Sequence, residues 1–254
     1  MKLKFLKFIS LLVIIFPHSI VNGQELIETL PSDNQLFTQG LEFNEAHELI
    51  LATGKHGESQ IGILDPTNGK FNHKASLESK YFGEGITISP QGIWQLTWKE
   101  KTVFLRDAKT YKVINSFKFD QEGWGIAYDD QRQSLWMSDG SNKLYERSLD
   151  DFSIIQIIEI FDAKQQAMNR LNELEFANGF IYANMWYTQY ILKIDPNNGK
   201  VVGVFDMSSI IQQTKFTEEE KQRLDVLNGI AHLKDNEFYV TGKYYPVIYH
   251  VKLD

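Results

Sequence analysis

The sequence contains no cysteine. Disulfides, thiolate metal sites and cysteine nucleophiles are thereby excluded, and an oxidising compartment poses no hazard to the chain. It has no Asn-x-Ser/Thr acceptor, so N-glycosylation is not expected. Histidine is scarce: the six residues are scattered without metal-ligand spacing, and His18 falls close to the N-terminus. No HExxH, GxSxG, phosphate-binding or dinucleotide-binding glycine motif occurs, which removes the commonest hydrolase and nucleotide chemistries. Basic residues are outnumbered, 26 Lys and Arg against 33 Asp and Glu for a net charge of −7, and they form no patch. That balance argues against nucleic acid as a partner.

Long apolar runs are nearly absent too. The one near the N-terminus, Phe8 to Phe16, follows Lys2, Lys4 and Lys7 and precedes Ser19 to Gly23. A charged start, a short apolar core and a small-residue exit describe a secretory signal over residues 1–23, with cleavage after Gly23 and an uncleaved anchor as the alternative. The run falls short of the roughly 20 apolar residues that span a bilayer. Residues 24–254 are therefore expected to be exported, to a periplasm or the exterior, as one soluble domain with no linker interrupting it. Loss of the three signal lysines, which have no acidic counterpart, takes the net charge from −7 to −10.

What is present is a repeat. Five segments begin alike: FTQGLEF from Phe37, FGEGITI from Phe82, EGWGIAY from Glu122, LNELEFA from Leu171 and LNGIAHL from Leu227. Each is followed by a β-rich stretch, ELILATG, GIWQLTW, SLWMSDG, FIYANMW or EFYVTGK, and then by a third, QIGILD, TVFLRD, KLYERS, YILKID or VIYHVKL. Alternating apolar and polar positions rich in β-branched and aromatic residues are strand signals. DPTNGK from Asp65 and DPNNGK from Asp195 read as hairpin turns, because they lack the twelfth-position Glu of a calcium loop. A fourth strand, FNHKASL, KVINSFKF, SIIQIIEI or VVGVFDM, completes four of the five units, while the fifth ends at Asp254 without one.

ELIETL, residues 25–30, can supply that missing strand, leaving no sheet edge open. The period predicts an all-β, five-bladed β-propeller closed by an N-terminal strand. Residues 208–227, with Thr217 ahead of Glu218 to Glu220, predict a small helical insertion before the last blade. A β-sandwich with coincidental internal similarity is the alternative architecture.

In a propeller the innermost strands line a central channel, so each unit delivers its opening segment to one face. That convergence brings Gln39, Glu84, Trp124, Asn172 and Asn228 near one another. Trp98 lies 14 residues after Glu84 and Trp186 lies 14 after Asn172, which places both indoles on the same rim, where the fifth unit has Gly242 and Lys243. Glycines 40, 85, 125 and 229 are read as permitting close backbone approach at blade starts. A carboxylate, amides, an ammonium and aromatic walls in one mouth make up a small-molecule pocket.

The motifs FTQGL, FGEGIT, EGWGI, LNELE and LNGIA, together with ANMW and TGK, resemble the glutamine cyclotransferase family, the plant-type and bacterial glutaminyl-peptide cyclotransferases. The likeness runs from Phe37 to the C-terminus in unbroken motif order. It implies conversion of N-terminal glutamine of peptides to pyroglutamate with release of ammonia. By position it implies Glu84 as general acid/base, with Gln39, Asn172 and Lys243 as its polar partners. Phe37, Phe82, Trp98, Trp124 and Trp186 become the substrate-binding lining. No metal or other cofactor is implied, the partners are peptides or proteins with N-terminal glutamine, and a monomer is expected.

The chemistry is compatible with those residue types. The α-amine of the substrate attacks its own carboxamide, so no protein nucleophile is required, and holding the ring-closing conformation contributes up to roughly 7–11 kcal/mol. A carboxylate walled by tryptophan has its pKa raised, which suits a proton shuttle. Asn172, an indole N–H or Lys243 could each hold the oxyanion. Two other classes remain on the sequence alone. A calcium-dependent propeller hydrolase, lactonase-like, would need several carboxylates at the mouth, and a non-enzymatic propeller would bind glycan or protein on the same aromatic face.

Overall fold

The computed structural model describes residues 23–254; the export signal read over residues 1–23 lies, except for Gly23, outside the described residues. Strand β1 (Gln24–Pro31) precedes the first blade, which is formed by β2 (Thr38–Phe43), β3 (Leu49–Thr53), β4 (Gln60–Asp65) and β5 (Lys70–Ser76). The second blade is β6 (Gly83–Ser89), β7 (Gly92–Thr97), β8 (Thr102–Arg106) and β9 (Val113–Lys118). The third is β10 (Ile126–Asp129), β11 (Ser134–Ser138), β12 (Lys143–Ser148) and β13 (Ile154–Glu159). The fourth is β14 (Leu171–Ala177), β15 (Phe180–Met185), β16 (Tyr190–Asp195) and β17 (Lys200–Asp206). The fifth takes β18 (Leu227–Lys234), β19 (Glu237–Gly242) and β20 (Val247–Leu253) from the C-terminus and β1 from the N-terminus.

The closing pair runs antiparallel from Gln24 opposite Leu253 to Pro31 opposite Val247, with a bulge between Leu26 and Glu28. The five-bladed ring and its terminal strand exchange are thus as the repeat predicts. The helical insertion consists of two short helices, α1 (Ser208–Gln213) and α2 (Glu218–Arg223). Thr217 caps α2 through a reciprocal box with Glu220, and α1 buries Ile210 and Ile211 against the cluster between blades four and five.

Burial explains the strand composition. The second strand of a blade is covered on both faces by its neighbours, and β3, β7 and β11 are buried at every position. The outermost strands, β5, β9 and β13, are largely exposed. Each of the five apolar clusters joins two adjacent blades; Ile50, Ala52 and Ile61 of the first, for example, pack on Ile86, Ile93 and Tyr111 of the second.

Side chains tie the inner strands of different blades together. Thr87 Oγ1 accepts the Tyr128 N–H at 2.9 Å and donates to Glu42 at 3.1 Å. Ser138 Oγ accepts from Gly125 N–H at 2.8 Å and donates to the Asn172 carbonyl at 2.6 Å. Glu173 reaches from the fourth blade to accept the N–H of Leu41 at 3.2 Å and of Ile230 at 2.9 Å.

Candidate active site

The innermost strands do not begin as regular ladders. Register shifts fall between Thr38 and Gly40, Gly83 and Ile86, Leu171 and Leu174, and Leu227 and Ile230. Gln39, Glu84, Asn172 and Asn228 lie inside these bulges, the last three together with Gly85, Glu173 and Gly229. A bulge re-aims a side chain, and here consecutive residues of one strand are both buried: Asn172 faces the mouth while Glu173 reaches the fifth blade beside it and the first blade beyond.

A cavity of about 250 Å³ opens at this end of the channel, lined by Phe37, Gln39, Phe82, Glu84, Trp98, Trp124, Asn172, Trp186 and Lys243. These are the nine side chains singled out in the sequence. Four polar groups form the floor, each 5% exposed or less, and five half-buried rings form the walls. Trp124 meets Trp186 edge-on at 5.1 Å, and Phe82 meets Trp98 at 5.5 Å and Phe37 at 6.2 Å. A larger hollow of about 450 Å³, lined by Glu42, Tyr128, Asp130, Glu175 and His232 among others, opens where the inner strands end. Its lining is chiefly polar, whereas the smaller cavity combines apolar walls with converging polar groups, the usual composition of a ligand site.

Asn228 stands one layer behind, fully buried and outside the lining. Its amide donates to Gln39 Oε1 and to the Thr38 carbonyl, both at 3.1 Å. With its oxygen so engaged, Gln39 presents its NH₂ group. The side-chain oxygen of Asn172 is buried with no hydrogen-bond partner among the described residues.

No donor among the described residues hydrogen-bonds Glu84, and no ion pair within 4.0 Å joins it to Lys243. Burial pushes the Glu84 carboxyl well above the usual carboxylate range; the charge of Lys243 opposes that shift, while Glu100 and Glu122 add to it. Burial likewise lowers Lys243, against the pull of Glu84 and Asp225. The ammonium stands 4.6 Å from the centre of the Phe37 ring.

The sequence reading did not single out Glu122. One of its oxygens, Oε2, accepts the indole N–H of Trp98 at 2.6 Å and of Trp124 at 3.2 Å. The signal was present in the repeat, since Glu122 occupies the register position of Phe37 and Phe82, where an acid replaces an aromatic ring. Trp94 donates its N–H to Ser89 and Trp136 to Asp129. Trp186 is left as the indole with no acceptor among the described residues, so Trp98 and Trp124 drop out as oxyanion donors. Among those residues no group of three or more His, Asp or Glu side chains is arranged to hold a metal ion.

A family model described as Glutamine cyclotransferase matches residues 16–253. A glutaminyl-peptide cyclotransferase of Arabidopsis thaliana is 31% identical over 235 residues, which cover 92% of this chain and 72% of that protein. The crystal structure of Myxococcus xanthus glutaminyl cyclase superposes with a TM-score of 0.78 at 28% identity, over 92% of this chain and 98% of the other. A protein of unknown function from Bacteroides caccae, at 15% identity and a TM-score of 0.53 over 78% of this chain and 72% of its own, shares the fold alone. Five blades, a matched family model and a plant relative above 30% identity lead to one conclusion: the chain belongs to the glutamine cyclotransferase family.

Proposed function

We propose that this protein is a glutaminyl-peptide cyclotransferase in which Glu84 moves the proton that ring closure releases and ammonia departure requires. One observation carries the reading: a buried carboxyl, held by no donor among the described residues, faces a cavity walled by five aromatic rings.

The substrate's α-ammonium has a pKa near 8 in water. On entering the cavity it gives a proton to solvent, and with Glu84 as the carboxylate the free amine attacks the Cδ carbon of its own side chain. A C–N bond forms as the carboxamide C=O becomes an oxyanion. Glu84 accepts the second proton from the attacking nitrogen and returns it to the amide nitrogen. The C–NH₂ bond then breaks, ammonia leaves and the carbonyl is restored as the lactam. A raised pKa places the carboxyl near the working range for both transfers.

The aromatic walls hold the flexible side chain in its folded conformer, which is where proximity contributes. Asn172, Lys243 and the Trp186 N–H are the donors left for the oxyanion, and losing one such group typically costs about 10²–10³ in rate. The scheme uses only the substrate's amine and the side chains of this cavity, without a metal. Residues 1–23 direct the enzyme out of the cytoplasm in this reading, where secreted peptides with N-terminal glutamine are its substrates.

Incubating the purified protein with a glutaminyl dipeptide is expected to release ammonia at a rate indifferent to chelator. Glu84→Gln is expected to fold normally and to lose nearly all turnover. A Glu84→Gln protein turning over at the wild-type rate removes Glu84 from the mechanism.

A further inference from the structure

We propose that Glu122 is a positioning residue for this reaction, one carboxylate oxygen fixing the orientation of two walls of the cavity that come from different blades. The inference rests on the cyclotransferase reading of the site.

Trp98 follows β7 of the second blade and Trp124 precedes β10 of the third, with Glu122 in the link between the two blades. An indole has a single N–H, and both of these point at the same Oε2, at 2.6 and 3.2 Å. Glu122 does not itself line the cavity. Each ring is therefore turned so that its polar edge faces away from the substrate and its carbon face is presented to it. Without this anchor, a half-buried tryptophan at the mouth has other rotamers open to it. A donor bonded to a carboxylate is held more tightly than one bonded to a neutral acceptor. Neighbouring rings complete the clamp, Trp186 against Trp124 at 5.1 Å and Phe82 against Trp98 at 5.5 Å.

The same carboxylate acts on Glu84 through space. The charged groups that bear on Glu84 are Lys243, Glu100 and Glu122, the last two raising its pKa and the first lowering it. Removing the charge of Glu122 thus moves the Glu84 titration to lower pH, a change that lost packing alone does not produce.

The test compares Glu122→Ala, which removes both acceptor and charge, with Glu122→Gln, which keeps an acceptor oxygen and removes the charge. Glu122→Ala is expected to raise KM for a glutaminyl dipeptide by roughly tenfold or more, the cost of a lost charge-assisted hydrogen bond, with a smaller effect on kcat. Glu122→Gln is expected to recover most of that loss while the acidic limb of kcat/KM moves to lower pH. In ¹⁵N-labelled protein two of the five indole N–H resonances, those of Trp98 and Trp124, are expected to shift in Glu122→Ala. An unchanged KM in a folded Glu122→Ala, a wild-type pH profile in Glu122→Gln, or unmoved indole resonances would each overturn the proposal. If the wild-type protein cyclises no glutaminyl peptide, the activity reading has failed, and the resonances still report whether Glu122 holds the two rings.

Discussion

A carboxyl group that is buried, unbonded and flanked by one cation and two anions takes its acidity from the balance among them. Glu84 is in that position, with Lys243 opposing a shift that burial, Glu100 and Glu122 all drive upward. The consequence is a pH dependence with a definite sign. As a base, Glu84 works in its deprotonated form, so kcat/KM falls as the pH drops through its raised pKa. Lys243→Met removes the positive neighbour, deprotonation becomes harder still, and the acidic limb is expected to move to higher pH. Glu100→Gln removes a negative neighbour of Glu84, at a side chain that itself accepts the Phe82 N–H at 3.1 Å, and the limb is expected to move the other way. Measuring kcat/KM against pH for both variants checks the pair; two limbs displaced in the same direction would show that the titrating group is not Glu84.

At the scale of the strand, the site depends on how closely the inner strands approach one another. A Cβ added at Gly125 would stand 2.0 Å from the Asn172 carbonyl oxygen and 2.7 Å from Glu173 Cα, and one at Gly40 would stand 2.5 Å from Ile86 N. The obstacle is backbone in each case and cannot rotate away. Gly125→Ala is expected to destabilise the protein by on the order of 3 kcal/mol, the upper range for overpacking, and to lower kcat because the displaced strand carries Asn172. Urea unfolding and steady-state kinetics on the same sample read both effects, and wild-type stability would mean the blades can part without loss. Glycines at blade starts, and the strands around them, were legible as sequence because close approach and two-sided burial leave compositional marks. The left-handed turns were only half legible. Gly69 and Gly199, at φ +72° and +69°, occupy positions that call for glycine, but Tyr111 and Phe152 end equivalent turns at φ +60° and +61°. Nothing local recommends an aromatic residue there. Their rings are buried, and the side chains of Arg106 and Arg147 donate to their carbonyls at 2.8 and 3.0 Å, so tertiary contacts sustain a conformation that local preference opposes.

Across the whole molecule, the ring is closed at its rim by β1 and stitched near its axis by glutamates, of which the first was readable in the sequence and the second was not. ELIETL stood out because one blade lacked a strand. Simple alternation in LNELE puts Asn172 on one face and Glu173 and Glu175 on the other, and the bulge at Asn172 decides what each face meets only once five blades surround it. The stitching has a thermodynamic cost that can be measured. Burial raises Glu173 and Glu175 well above the usual carboxylate range and brings the half-buried Glu42 to about 7. Groups whose folded pKa exceeds the unfolded value, roughly 4.3 for Glu, stabilise fully below that unfolded value, and the contribution is lost as the pH rises through the folded one. Stability is therefore expected to fall between about pH 5 and pH 8, as buried carboxyls are forced to ionise. Glu175 is the residue to alter, because its Oε1 accepts the His232 N–H at 3.2 Å while Oε2 is buried without a partner among the described residues. Glu175→Gln keeps an acceptor for His232 and cannot ionise, so it is expected to be more stable than wild type at pH 8 and to show a flatter profile of melting temperature against pH. Parallel wild-type and Glu175→Gln profiles would mean that the charge of Glu175 is already neutralised within the ring, and that the pH dependence arises from other groups.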